Sequence, residues 1–228
     1  QQALNIGINN TYIQARSDGY QQNPHQNKTA VFSSYRYTSK NNKNTASIAL
    51  RQEIIASKPA PFTYTLGNEY HLIKWLRIHA NVARVYRTPT LNDLYWQPGG
   101  NTELQSEHGY SEEIGVLIHV NDKHKKIKFT SEPTLFNRNI KNWIVWLPGP
   151  TYWTPENIME VWSRGMETKN EITYMIQKVS ITGSIITNYT ISTNQKAKAI
   201  NDQSLYKQLI YVPMYSGNGR LSVAYKGF

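Results

Sequence analysis

The residue types that catalyse reactions or ligate metals occur in this chain, but not at the spacing of a catalytic or metal site. The six histidines form no HxH or HExxH pair, and the absence of cysteine removes thiolate ligands and cysteine nucleophiles. Glu112 and Glu113 are adjacent, so in a strand their side chains point to opposite faces and cannot act as an acid–base pair. No nucleophile elbow or phosphate-binding loop is present. We therefore expect no enzymatic activity, no bound metal and no cofactor.

Two segments rich in tryptophan and tyrosine are better candidates for a binding site. Their flat side chains carry N–H or O–H donors at the edge, which suits a bulky ligand with apolar faces and polar edges. The alternative is that they anchor the chain at a membrane–water interface, or pack one loop against another. The predicted ligand-binding residues are Tyr95, Trp96, Asn101, Trp143, Trp146, Tyr152 and Trp153.

The elements that must position these segments are β-strands, because apolar and polar residues alternate along most of the chain. The clearest examples are residues 114–120 and 179–192. We predict about ten strands, several of ~10 residues or more, and no convincing helix apart from a possible turn near 156–161. Short polar turns alternate with long loops, which is the pattern of outer-membrane β-barrels.

The connections between these strands should divide between two rims, since consecutive antiparallel strands reverse direction. One rim should carry the loops at 17–27, 57–61, 87–107, 141–160 and 194–210. The other should carry the turns near 40–43, 73–75, 121–124 and 177–179. This arrangement predicts that Trp96 and Trp153 lie at the same end of the sheet.

Composition narrows the class of protein further. No apolar run approaches the ~18 residues of a transmembrane helix, while a mean hydropathy of -0.58 is compatible with a barrel whose strands alternate. The net charge of +10 comes from scattered basic residues, so we expect no nucleic-acid partner. Gln1 begins no signal peptide, and we expect that an N-terminal part of the gene product precedes this segment.

A soluble antiparallel sandwich or barrel would show the same alternation of apolar and polar residues. In that case the corresponding function would be a soluble β-rich carbohydrate-binding module, because tryptophan and tyrosine in loops also stack on sugars. The pattern of residues alone does not separate this alternative from a membrane barrel.

Four motifs in register resemble the TonB-dependent outer-membrane receptors. The first is Tyr-Arg-Thr-Pro-Thr-Leu-Asn-Asp-Leu-Tyr at 86–95, followed by Gly-Asn-Thr-Glu-Leu at 100–104 and by Glu107. In that family an arginine–aromatic–proline segment leads to a Gly-Asn-x-x-Leu-x-x-Glu turn and then a strand, and Ser106 stands here for the usual proline. The others are Asn-Trp-Ile at 142–144, Ser-Arg-Gly-Met-Glu at 163–167, and Tyr-Val-Pro at 211–213 before the last strand.

This resemblance implies an all-β fold, an antiparallel transmembrane β-barrel of about 22 strands closed around a plug. Residues 1–228 would be a partial barrel domain of about ten strands, with the plug and the final strands outside this segment. The implied location is the bacterial cell outer membrane, in contact with outer-membrane lipid and lipopolysaccharide. The implied partners are TonB, acting through the plug region, and a scarce small-molecule ligand that is imported without covalent chemistry.

Cobalamin is the ligand that the resemblance favours, with a ferric siderophore or haem as alternatives. The loops offer aromatic faces with Asn, Gln and Thr rather than a dense arginine cluster, which suits a corrinoid with amide edges better than a small trianionic ferric chelate. Calcium is not expected in the loops, because Asp93, Glu103 and Glu107 are scattered.

Overall fold

The protein forms one antiparallel sheet, described by a computed structural model for residues 1–124, 126–197 and 200–225. Its strands are β1 Gln2–Gln14, β2 His25–Thr38, β3 Asn44–Ile55, β4 Lys58–Pro59, β5 Thr63–Ile73, β6 Leu76–Arg87, β7 Glu107–Asn121, β8 Ile127–Pro148, β9 Trp153–Ile176, β10 Val179–Asn194 and β11 Tyr215–Tyr225. Apart from β4, which pairs only with β3, each strand pairs with the next along the chain. The predicted all-β meander of about ten long strands is confirmed.

The two faces of the sheet differ in polarity, as the alternation predicts. Side chains of directly paired residues lie on the same face, so the pairing of Ile48 with Leu66 and of Ile114 with Leu135 places them together. These large apolar side chains are exposed rather than packed in a core. On the other face Thr173 pairs with Thr182, and their hydroxyl oxygens are 2.9 Å apart. One face therefore suits an apolar medium and the other an aqueous lumen.

Tyrosines flank the aliphatic band of the apolar face. Tyr174 pairs with Ile181, and Tyr189 lies eight positions further along β10. At ~3.3 Å per residue, and with the tilt of barrel strands, that separation spans roughly 20 Å. Tyr64 and Tyr110 lie level with each other near the upper end of the sheet, since each pairs with Arg84. These positions match the two aromatic girdles of a membrane barrel.

The second aromatic loop is corrected by the structure. Residues 141–160 were predicted as one long loop, but 141–148 belong to β8 and 153–160 to β9, and the two strands form a hairpin that closes at 149–152. The alternation is interrupted at Asn142, which has a positive φ of 56°, and the register shifts between Ile140 and Trp143. Such a bulge inserts an extra residue, so the period-2 signal is lost although pairing continues. The predicted helical turn near 156–161 is also wrong, because this segment lies in β9.

The connections alternate between the two ends of the sheet as predicted. The segments at 15–24, 56–62, 88–106, 149–152 and 195–214 lie at one end, and those at 39–43, 74–75, 122–126 and 177–178 at the other. In the turn after β7, Asp122 accepts hydrogen bonds from the backbone N–H of Ile127 at 2.8 Å and of His124 at 3.2 Å. The Ile127 bond is the main cause that lowers the pKa of this exposed carboxyl. Lys125, Lys198 and Ala199 lie outside the described residues.

Within the part of the chain that the structure describes, no helix has the length and apolar character needed to cross a membrane.

Candidate ligand-binding rim

A short helix that the sequence analysis missed opens the central loop. Helix α1, Leu91–Tyr95, begins after Thr90, whose hydroxyl accepts from the N–H of Asp93 at 3.1 Å. The Asp93 carboxylate in return accepts from the N–H of Thr90 at 2.8 Å. This reciprocal pair is a capping box. The Thr-x-x-Asp spacing at 90–93 was the sequence signal that would have found it.

Asp93 also fixes the position of Trp146. The indole Nε1 of Trp146 donates to Asp93 Oδ1 at 2.9 Å, which joins the loop after β6 to strand β8. Asp93 is buried and lies 3.7 Å from the guanidinium of Arg87. The carboxylate thus caps a helix, holds an indole and neutralises a cation. Trp146 therefore has a structural partner, and its N–H is not available to a ligand.

Glu107 closes the central loop at its other end. Glu107 is only 3% exposed, and its side chain accepts two hydrogen bonds from Arg87, with Arg87 Nε at 2.8 Å from Oε2. Glu107 Oε1 also accepts from the backbone N–H of Ile144 at 2.9 Å. One buried carboxylate therefore connects β6, β7 and β8. The final glutamate of the Gly-Asn-x-x-Leu-x-x-Glu motif has a physical role in positioning the rim.

Two asparagines attach the same loop to the β8–β9 hairpin. Asn101 Nδ2 donates to the carbonyl oxygen of Pro155 at 3.1 Å. Asn157 accepts from the N–H of Gln105 at 2.8 Å, and its amide donates to the carbonyl oxygens of Gln105 and Asn142. These bonds hold residues 101–105 against the hairpin.

Trp96 joins the central loop to the β1–β2 loop. Its ring packs directly against Gly19 and stands edge-on to Tyr20, with ring centroids 5.8 Å apart. The Gln97 N–H donates to the Gly19 carbonyl oxygen at 2.8 Å, and the Tyr20 hydroxyl donates to Asn92. Loop 88–106 therefore reaches past the ends of β5 and β3 to the β1–β2 loop.

A cavity of about 500 Å³ lies between these two loops. Its polar lining comes mainly from neutral side chains, namely Gln21, Gln22, Asn23, Tyr95, Gln97 and Thr102, and His25 completes it. No carboxylate, lysine or arginine of the described residues lines it. Such a lining offers hydrogen-bond donors and acceptors with little net charge.

The structure divides the predicted aromatic residues among several places. Tyr95 alone lines the rim cavity, while Trp96 and Asn101 support the loop beside it. Tyr152 and Trp153 are 46% and 57% exposed at the end of the hairpin. Trp143 lines a second cavity of about 820 Å³ on the polar face of the sheet. The aromatic set is therefore not a single contact surface.

The amide side chains of the β1–β2 loop are the residues that sequence reasoning missed. Gln21, Gln22 and Asn23 are consecutive and precede Pro24, and this run of amides was the available signal. In the described ranges, no group of three or more His, Cys, Asp or Glu side chains has the arrangement needed to hold a metal ion.

Replacing Trp96 with alanine should separate the two loops that form the cavity. The indole is about two-thirds buried, so we expect the contact between the two loops to lose about 2 kcal/mol of stability. This is less than the cost of truncating a fully buried tryptophan. Amide hydrogen exchange at Gln97, whose N–H is bonded to Gly19, should then accelerate about 30-fold. Trp153→Ala at the exposed hairpin end is the matched control and should leave that rate unchanged. Equal rates in both variants and the wild type would contradict the role given to Trp96.

Comparison with known proteins identifies the family. The model of the family described as "TonB dependent receptor-like, beta-barrel" matches residues 2–228. The vitamin B12 transporter BtuB of Vibrio vulnificus is 26% identical over 155 residues, which cover 67% of this chain and 24% of that protein. BtuB of Photobacterium profundum is 28% identical over 110 residues, covering 46% of this chain and 17% of that protein. The chain thus spans about a quarter or less of the length of these relatives.

Solved structures share the fold at low sequence identity. The hemophore receptor HasR of Serratia marcescens matches with a TM-score of 0.69 and 11% identity, over 100% of this chain and 46% of that one. The siderophore receptor PirA of Pseudomonas aeruginosa matches with a TM-score of 0.65 and 15% identity, over 86% of this chain and 40% of that one. At these identities the likeness is one of fold.

Proposed function

Because the chain belongs to the TonB-dependent receptor β-barrel family, we propose that the whole protein binds cobalamin at its extracellular rim for TonB-driven uptake. The family consists of receptors and transporters located in the bacterial outer membrane. Because the chain belongs to this family, we set aside the alternative of a soluble β-rich carbohydrate-binding module. TonB is the proposed energy-coupling partner, and no covalent chemistry is proposed for the receptor.

The single observation that carries the choice of ligand is the neutral, amide-rich lining of the rim cavity. Carboxamide side chains of Gln21, Gln22 and Gln97 can both donate to and accept from the amide groups at the edge of a corrin ring. Tyr95 adds an aromatic surface. A trianionic ferric chelate would instead call for arginine or lysine, and none lines this cavity. The identity of the two BtuB relatives supports the same choice.

The cavity is smaller than a whole corrinoid, so we propose that it holds one edge of the ligand. Tyr152 and Trp153, exposed at the end of the hairpin, would then contact the part of the ligand that projects from the rim. Trp143, on the polar face below, lines the cavity through which the ligand would pass next.

Direct binding measurements on the intact receptor test the proposed ligand. Cobalamin, a ferric catecholate siderophore, a ferric hydroxamate siderophore and haem should be titrated side by side in the same detergent. We expect saturable binding of cobalamin and none of the others at the same concentrations. Tight binding of a siderophore or haem with no binding of cobalamin would overturn the ligand while leaving family membership intact.

Variants of the cavity test where the ligand binds. Removing one hydrogen-bonding amide costs about 1 kcal/mol, so Gln22→Ala and Gln97→Ala should each weaken cobalamin binding about fivefold, and together about 25-fold. Gln203→Ala removes an exposed amide from the loop after β10, outside the cavity, and is the matched control. Unchanged affinity in the double variant would place the ligand elsewhere on the rim.

A further inference from the structure

An aspartate–glycine pair occupies the centre of a tight turn in the loop between β1 and β2. The Tyr20 N–H donates to the Ser17 carbonyl oxygen at 3.1 Å, which places Asp18 and Gly19 at the two central positions of the turn. Asp18 is exposed, and its side chain has no hydrogen-bond or ion-pair partner among the described residues. The Gly19 N–H donates to the Ser17 hydroxyl oxygen at 3.2 Å. An unpartnered carboxyl group therefore precedes the residue type that hinders its own backbone nitrogen least.

Asp18 is the only aspartate of the sequence that precedes a glycine, and comparable residues are restrained in other ways. Asp93 is buried and hydrogen-bonded, and Asp122 accepts two bonds from backbone N–H groups. Asn218 does precede a glycine, Gly219, but both lie in β11 and pair with β10. In an extended strand the side-chain carbonyl carbon lies away from the nitrogen of the next residue. Asp18 therefore combines the reactive neighbour with a turn conformation and an unrestrained side chain.

Gly19 is also the residue that joins the two rim loops. An added Cβ atom there would lie 2.4 Å from the nearest atoms of the Trp96 ring, so the indole packs against bare backbone. The Gly19 carbonyl oxygen accepts from the Gln97 N–H at 2.8 Å. A change in the backbone between Asp18 and Gly19 would act on both contacts together, because neither uses a side chain of Gly19 that could adjust.

From this geometry we propose that Asp18 is a site of spontaneous covalent modification, at which it converts to isoaspartate through a succinimide. The Gly19 nitrogen attacks the side-chain carbonyl carbon of Asp18 and forms a new N–C bond. The hydroxyl of the protonated carboxyl group leaves with the amide proton as one water molecule. Water then adds to the main-chain carbonyl of the ring and opens it, so the chain runs through the former side chain. One water is lost and one is gained, and no oxidant or cofactor takes part.

The modification would open the contact between the two rim loops. Isoaspartate lengthens the main chain by one methylene group and turns the former main-chain carbonyl into a free carboxylate. Gly19 is thereby displaced from the Trp96 ring, and its carbonyl oxygen from the Gln97 N–H. The site does not depend on which ligand the rim binds.

Peptide mapping of the intact receptor, kept for several weeks at mildly acidic pH, tests the site. Isoaspartate is located by fragmentation spectra, and the succinimide by the missing mass of one water. Residues in a strand ladder react only after local opening, so isoaspartate at Asp18 should exceed deamidation at Asn218 by about tenfold or more. Asp18→Glu is the matched variant, because it keeps the charge but would require a larger ring, and it should form no such product. The receptor unfolded in guanidinium is the positive control, in which both sites should react. A folded receptor without isoaspartate at Asp18, or with equal change at Asn218, would overturn the site.

Hydrogen exchange at Gln97 tests the consequence for the rim. In the aged wild type, one fraction of molecules should exchange this amide about 30-fold faster, as expected for Trp96→Ala, and the rest at the original rate. The fast fraction should equal the fraction that contains isoaspartate. Asp18→Glu, aged in the same way, should show only the original rate. A single, unchanged rate in a wild-type sample that contains isoaspartate would overturn the proposed opening of the contact.

Discussion

Gly165→Val is expected to prevent the receptor from assembling in the outer membrane. Gly165 lies in the middle of β9, where it pairs with Phe136 on one side and Thr190 on the other. A Cβ atom at this position would overlap the carbonyl oxygen of Tyr189 and lie 2.9 Å from the Phe136 ring. Because the first of these contacts is to backbone, no rotation of a side chain can relieve it.

The cost of this substitution exceeds that of ordinary overpacking, which is typically 1–3 kcal/mol. We expect Gly165→Val to destabilise the folded barrel by at least about 4 kcal/mol, since β9 and β10 must separate to admit the side chain. The measurement is the amount of heat-modifiable, folded receptor in outer-membrane fractions.

Gly183→Val provides the matched control in the neighbouring strand. There the nearest atom to an added Cβ is Ile172 Cγ2, at an ordinary contact distance of 3.9 Å. The added isopropyl group would lie on the apolar face, so this variant should assemble at the wild-type level. Normal assembly of Gly165→Val, or failure of both variants, would contradict the account of the close approach between β9 and β10.

Glu107→Ala is expected to release the central loop from the hairpin. The substitution leaves the buried N–H of Ile144 without an acceptor and Arg87 without its main anionic partner. Arg87 is half exposed and can be rehydrated. We therefore expect a loss of stability of about 3 kcal/mol, which is the low end of the cost of breaking a buried ion pair. Limited proteolysis within 88–106 should become at least tenfold faster. Affinity for the proposed ligand, cobalamin, should fall because Tyr95, Gln97 and Thr102 lose their positions at the cavity.

Two further variants separate the buried contact from the charge itself. Glu103→Ala removes an exposed carboxylate from the same loop and should change neither measurement. Glu107→Gln retains an acceptor for the Ile144 N–H and should give an intermediate rate of proteolysis. If Glu107→Ala were cleaved at the same rate as the wild type, the loop would instead be held mainly by Asn101 and Asn157.

The strands, their two faces and their alternating ends were all predictable from the sequence. Side-chain direction in a strand has a period of two, which is a property of the local backbone and needs no knowledge of distant contacts. The alternation around Ile48 and Ile114 was therefore enough to assign both residues to the apolar face. The same local logic failed at Asn142, because a bulge breaks the period while hydrogen bonding across β8 and β9 continues. The capping signal of Thr90 and Asp93 is also local, and it was present in the sequence although no helix was predicted there.

The rim cavity was decided only by the tertiary structure. Tyr20 and Asn92 are hydrogen-bonded although 72 residues separate them, and no periodicity links two loops that meet across intervening strands. The aromatic residues were recognised by type. In the folded chain, however, Trp146 is hydrogen-bonded to Asp93 and Trp96 packs against Gly19, so that only Tyr95 of these three lines the cavity. Residue type indicates what a side chain can bind. Which side chains remain available to a ligand depends on the partners that the folded chain brings to them.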